Sequence, residues 1–134
     1  MTRALAWFFE APVEPRPWWK VITWWELRRI PYNLVIGVVG LISLFFFFLF
    51  IHLAHELKPG QDAIEPLALF VAPILLNFAY TAGWVSELLL RFFWRSGPHP
   101  VGPVLLKLGF IFSIAVVLLP STLWFVIWLW RIVH

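Results

Sequence analysis

The sequence predicts an all-α integral membrane protein, with three transmembrane helices preceded by a short amphipathic interfacial helix. Three observations lead there. Of 134 residues, 62% are hydrophobic and 13% charged, against about 45–50% and about 25% in ordinary soluble domains. So few charges cannot cover the surface of a soluble protein this small. The apolar residues fall in runs rather than in a 3.6-residue stripe, and runs of about 18 or more mark membrane spans. Lysine and arginine flank those runs unevenly, which also predicts an orientation.

Residues 1–32 read as a cytoplasmic N-terminal segment and residues 33–134 as the three-helix membrane domain. The opening "MTRALAWFFEAPVEP" has no apolar stretch long enough for a signal peptide and carries Glu10 and Glu14, so it is expected to be retained. In "WWKVITWWELRRIPYN", a helix over 17–29 puts Trp18, Val21, Ile22 and Trp25 on one face and turns Lys20 and Thr23 away. Trp18, Trp19 and Trp25 then lie at headgroup depth with Arg28 and Arg29 toward phosphate. Pro31 biases Ile30 out of helical geometry and supplies the corner into the membrane.

The first span is predicted at about 33–55, uncharged until Glu56, and "ELKPGQDAIEP" follows as a short acidic loop. The second covers about 67–90 and is closed by Arg91 and Arg95. "SGPHPVGP", residues 96–103, packs three prolines and two glycines into a stiff link. The third span, about 105–130, reads as one helix, tilted or kinked near Pro120. Trp124, Trp128 and Trp130 form its outer belt, with Arg131 reaching beyond. Arg3, Arg16, Lys20, Arg28, Arg29, Arg91, Arg95 and Lys107 fall on one side, against Lys58 and Arg131 on the other. The positive-inside tendency therefore puts the N-terminus and the loop around His99 in the cytoplasm and the C-terminus outside, in a membrane of bacterial inner-membrane type.

The second span carries the most information. At 100° per residue, Asn77, Tyr80, Trp84, Glu87 and Arg91 fall on one face, whose polar members are Asn77, Tyr80, Glu87 and Arg91, and Ala79, Ala82, Gly83 and Ser86 form a neighbouring strip of small residues. Small residues let helices approach closely in lipid, and Gly37 and Gly40 of the first span are the expected partners of the strip. The Glu87–Arg91 pair at i,i+4 suits a structural role better than a catalytic one.

In "HLAHE", His52, His55 and Glu56 occupy i, i+3 and i+4, a spacing that presents two imidazoles and a carboxylate from one helix face. The order matches no zinc-hydrolase motif. The expectation is no cofactor, with metal or haem ligation as the rival. No phosphate-binding glycine loop, nucleophile elbow or Ser-His-Asp arrangement occurs, so nothing argues for an enzyme. The absence of cysteine excludes disulfides and thiolate chemistry. The basic residues flank apolar runs and form no separate arm, so the partners expected are the lipid bilayer and other membrane subunits or a second copy, not nucleic acid.

The function expected is that of an accessory, assembly or structural membrane subunit acting through helix–helix packing. One alternative is a transporter or channel protomer using Asn77, Tyr80 and Glu87. Another is a redox subunit using His52 and His55.

Overall fold

The computed structural model describes residues 3–11, 17–54, 66–94 and 101–134. These form four helices and, among the described residues, no strand: α1 Arg3–Phe9, α2 Trp18–Leu53, α3 Pro66–Phe93 and α4 Val101–Val133. Trp18–Leu53, Leu69–Phe93 and Val101–Val133 are each long and apolar enough to cross a membrane. At 1.5 Å per residue, the 36 residues of α2 extend about 54 Å, well beyond a hydrocarbon core of about 30 Å.

Interhelical bonds fix the directions. Tyr32 meets Ser113, Ser43 meets Ser121 and Ala54 meets Arg131, so α2 and α4 run parallel. Trp25 meets Glu87, Arg29 meets Thr81 and Asn33 meets Asn77, so α3 runs antiparallel to α2. The α2–α4 interface is the most extensive. The buried core gathers at the N-terminal end of α2, where Val21, Trp24, Trp25 and Tyr32 pack with Phe8 of α1, Tyr80 of α3 and Leu106 of α4. Farther along, α2 and α4 stay together through Phe47 against Trp124 and Phe50 against Phe125 and Trp128. α3 does not follow them: Leu67 and residues 69–75 are all exposed, and coverage begins only at Leu76.

The expected corner at Pro31 is absent. α2 runs unbroken through it, so residues 17–29 form no separate interfacial helix but the first turns of a single long one. Proline removes one backbone donor, here the partner of the Leu27 carbonyl, and costs about 3 kcal/mol in a helix interior. Bonds on both sides of Pro31, at Trp25, Arg29, Tyr32 and Asn33, hold the helix to its neighbours and oppose a bend. The Pro-rich link is also shorter than expected, because Val101, Gly102 and Pro103 already belong to the first turn of α4, where a missing N–H costs little. Pro120 lies inside α4, and Ser121 and Thr122 each bond the Leu118 carbonyl beside it. α1 had no counterpart in the sequence reading.

The glycines also pack differently. A Cβ at Gly83 would meet the Trp25 ring, one at Gly40 would meet Val117 of α4, and one at Gly37 would meet nothing within 4 Å. Gly37 and Gly40 are therefore not partners of the α3 strip. The Trp25 indole fills the space that direct backbone contact would need.

Candidate functional site

Glu87 is the centre of the only fully buried charged group among the described residues, at 0% exposure. Its Oε2 accepts from the Trp25 indole Nε1 at 2.7 Å. Its Oε1 accepts from Arg91 Nε at 3.0 Å and Arg91 Nη2 at 2.6 Å, across one turn of α3. Gly102 makes room for it: a Cβ there would overlap the carboxylate. The carboxylate therefore sits against the first turn of α4, where the unpaired N–H groups and the helix dipole favour negative charge.

One turn along α2, Arg28 is 5% exposed and performs a different task. It donates to the carbonyls of Trp7, Phe8 and Glu10 at the end of α1 and to that of Trp24. Its guanidinium lies between the rings of Trp7 and Trp24, at 4.6 and 4.1 Å. These carbonyls are the acceptors that a helix end leaves open, and Arg28 supplies several donors in one plane. α1 is fixed further by Phe8 and Phe9 against Phe110.

Above these charges a ladder of neutral groups ties the helices together. Tyr80 donates to the Trp25 carbonyl at 2.5 Å, and Tyr32 shares a 2.7 Å bond with Ser113. Asn33 and Asn77 exchange amide bonds at 3.1 and 2.9 Å. Ser43 bonds Ser121 and the Val117 carbonyl. Arg29 donates to Thr81, pairs with Glu26 at 3.0 Å and stacks over Tyr80.

The polar face expected on α3 is thus assembled, with Asn77, Tyr80 and Glu87 each joined to α2 and Arg91 joined to Glu87. The small-residue strip, Ala79, Ala82, Gly83 and Ser86, borders a laterally open groove of about 350 Å³ whose far wall includes Gly109 and Phe112 of α4. Of the expected interface anchors, Trp18, Trp19 and Trp130 are exposed. Trp25 and Arg28 are instead buried, because each has a polar partner inside the bundle. Arg29 is half-buried, as are Trp124 and Trp128, which lie against Phe47 and Phe50. His52 is exposed on the last turn of α2, while His55 and Glu56 lie outside the described residues.

Sequence reasoning missed the Tyr32–Ser113 and Ser43–Ser121 bonds, whose partners are 81 and 78 positions apart. No local pattern marks them. The Trp25 indole and the Arg91 guanidinium hold the Glu87 carboxylate in place. No protein-family model, curated protein or solved structure significantly matches this chain.

Proposed function

We propose that this chain is a membrane-embedded accessory or structural subunit that works by helix–helix packing with other membrane subunits or a second copy. The carrying observation is the division of its surface. Many polar side chains of the long helices are engaged with one another across α2, α3 and α4, whereas large apolar side chains such as Phe45, Phe70, Phe78 and Ile111 face outward. Hydrocarbon requires internal pairing of polar groups, and this arrangement suits that requirement. The groups on α3 that a solute path would use are engaged: Tyr80 donates to a backbone carbonyl, and Glu87 is held by Trp25 and Arg91. A transporter reading would need both to face water.

The uneven distribution of basic residues supports a bacterial-type inner membrane with the N-terminus and the loop around His99 in the cytoplasm and His134 outside. The test is isolation from its native membrane in mild detergent, with cross-linking and identification of what stays bound. A membrane protein recovered in fixed ratio, or a cross-linked homo-oligomer, supports the subunit reading. A monodisperse monomer with no cross-linked species would sink it.

A further inference from the structure

We propose that the chain forms a parallel homodimer in the membrane through the outer face of α2, with Asn33 of each copy bonded to Asn33 of the other. This rests on the subunit reading and deepens it by naming the partner and the surface. Asn33 lies inside the hydrocarbon by the measure of either neighbouring helix. Asn77, to which it is bonded, stands about 16 Å from one end of α3, at Pro66, and about 24 Å from the other, at Phe93, so the pair sits near the middle of α3. Val117 is the central residue of α4 and lies beside Gly40. Asn33 stands about 10 Å along α2 from Gly40, within a hydrocarbon half-thickness of about 15 Å.

An amide at that depth needs its bonds made within protein. Asn77 makes its own, since its Nδ2 protons go to Asn33 Oδ1 and to the Pro73 carbonyl. Asn33 does not. It gives one proton to Asn77 and keeps the other, with no partner among the described residues, on an exposed side chain. Its Oδ1 accepts from Asn77, and an amide oxygen has a second lone pair. Asn33 therefore offers one donor and one acceptor outward, a combination complementary to itself. Copies inserted in the same orientation are related by a two-fold axis along the membrane normal, which brings equal depths, and so the two Asn33 amides, face to face. A lipid tail offers neither group.

The surface around Asn33 suits a second helix. At 100° per residue, Ile30, Asn33, Gly37, Leu41, Leu44 and Phe48 fall within about 80° of the circumference of α2. All are exposed except the half-buried Leu44. Gly37, one turn above Asn33, has nothing within 4 Å of where a Cβ would stand, so a second backbone can approach to the short distance at which side-chain amides meet. Below Asn33 the face reaches Glu26, whose charge Arg29 balances at 3.0 Å, and the two copies meet there as neutral pairs.

The test is oxidative cross-linking of single cysteines along α2 in native membranes, which is clean because the chain has no native cysteine. It is joined by energy transfer between labelled full-length chains diluted in vesicles of phosphatidylethanolamine and phosphatidylglycerol. Ile30→Cys, Gly37→Cys and Leu41→Cys should form disulfide-linked dimers. Val38→Cys and Ile42→Cys, exposed but turned about 100° or more away, should not. Asn33→Leu should weaken dimerisation by about sevenfold, the effect of losing two interhelical bonds of average membrane strength. Asn77→Leu removes the same α2–α3 pair but keeps the outward amide of Asn33, and should leave dimerisation unchanged. Helix content by circular dichroism checks that each variant is folded. Cross-linking at Val38 or Ile42 in place of the three expected positions, no loss in Asn33→Leu, or equal losses in Asn33→Leu and Asn77→Leu would overturn the proposal. A different membrane protein recovered in fixed ratio, with no homodimer, would overturn it and leave the subunit reading standing, whereas a monomer with nothing bound would overturn both.

Discussion

Replacing Gly83 with alanine is the sharpest probe of the packing. A Cβ at Gly83 would stand 2.8 Å from Trp25 Cη2 and 3.0 Å from Cζ3. Carbon atoms settle at about 3.5–4.0 Å, so the ring must retreat by roughly 0.7–1.2 Å. It has little freedom to do so. Trp25 is 1% exposed, packs edge-on against Tyr80 and donates to Glu87 at 2.7 Å. A retreat of that size lengthens the indole–carboxylate bond to the limit of a useful hydrogen bond. Overpacking costs about 1–3 kcal/mol, and weakening a bond to a charged group adds to it. The gain in helix propensity from glycine to alanine, about 1 kcal/mol, offsets only part of this.

Gly37→Ala is the matched control, because it has the same propensity gain and no contact within 4 Å. The two variants should therefore lie on opposite sides of wild type, separated by about 2–3 kcal/mol. Thermal unfolding followed by circular dichroism in one detergent reads this as a lower Tm for Gly83→Ala and a higher one for Gly37→Ala. Gly83→Ala at or above the wild-type Tm would show that the indole does not occupy the α2–α3 space.

The remaining predictions concern the buried carboxylate, the orientation and the histidines. Trp25→Phe keeps an aromatic ring but removes the indole N–H that donates to Glu87 and part of a buried side chain, so it should cost at least the about 1–3 kcal/mol of the lost bond in the same unfolding assay; an unchanged Tm would mean that neither the bond nor the indole packing contributes. Single cysteines at positions 60 and 99 are clean probes in a chain without native cysteine, and an impermeant reagent should label 60 but not 99 in intact cells; the reverse pattern inverts the topology. Elemental analysis and the visible spectrum of protein isolated without added metal should show no stoichiometric metal and no haem band. One metal per chain, lost when both His52 and His55 become alanine, would favour the redox alternative.

The fold class was legible in the sequence because apolar run length reports a span directly, and three helices long and apolar enough to cross a membrane are present. The polar face of α3 was legible for a similar reason, since helical periodicity collects Asn77, Tyr80 and Glu87 whatever they touch. What periodicity cannot supply is the neighbour. Trp18 and Trp25 project from the same face of one helix, yet Trp18 is exposed and Trp25 is in the core. The difference is Glu87, 62 positions away, which accepts from the Trp25 indole. Arg28 was misplaced in the same way: beside tryptophans it reads as a headgroup anchor, but its donors are taken by carbonyls at the end of α1, a helix with no signal of its own in the sequence.

Pro31 makes the same point about backbone. A local preference of a few kcal/mol predicted a corner, and four side chains within six positions of it, each bonded to another helix, lie along a continuous α2 instead. Each of those bonds in a membrane is worth only about 0.6 kcal/mol on average. Together they supply about 2.4 kcal/mol, short of a penalty of about 3 kcal/mol, so packing of the apolar side chains around them must cover the rest. Pro31 is therefore the point along α2 where the helix depends most on its neighbours, and where a change in the packing of α3 would first be felt.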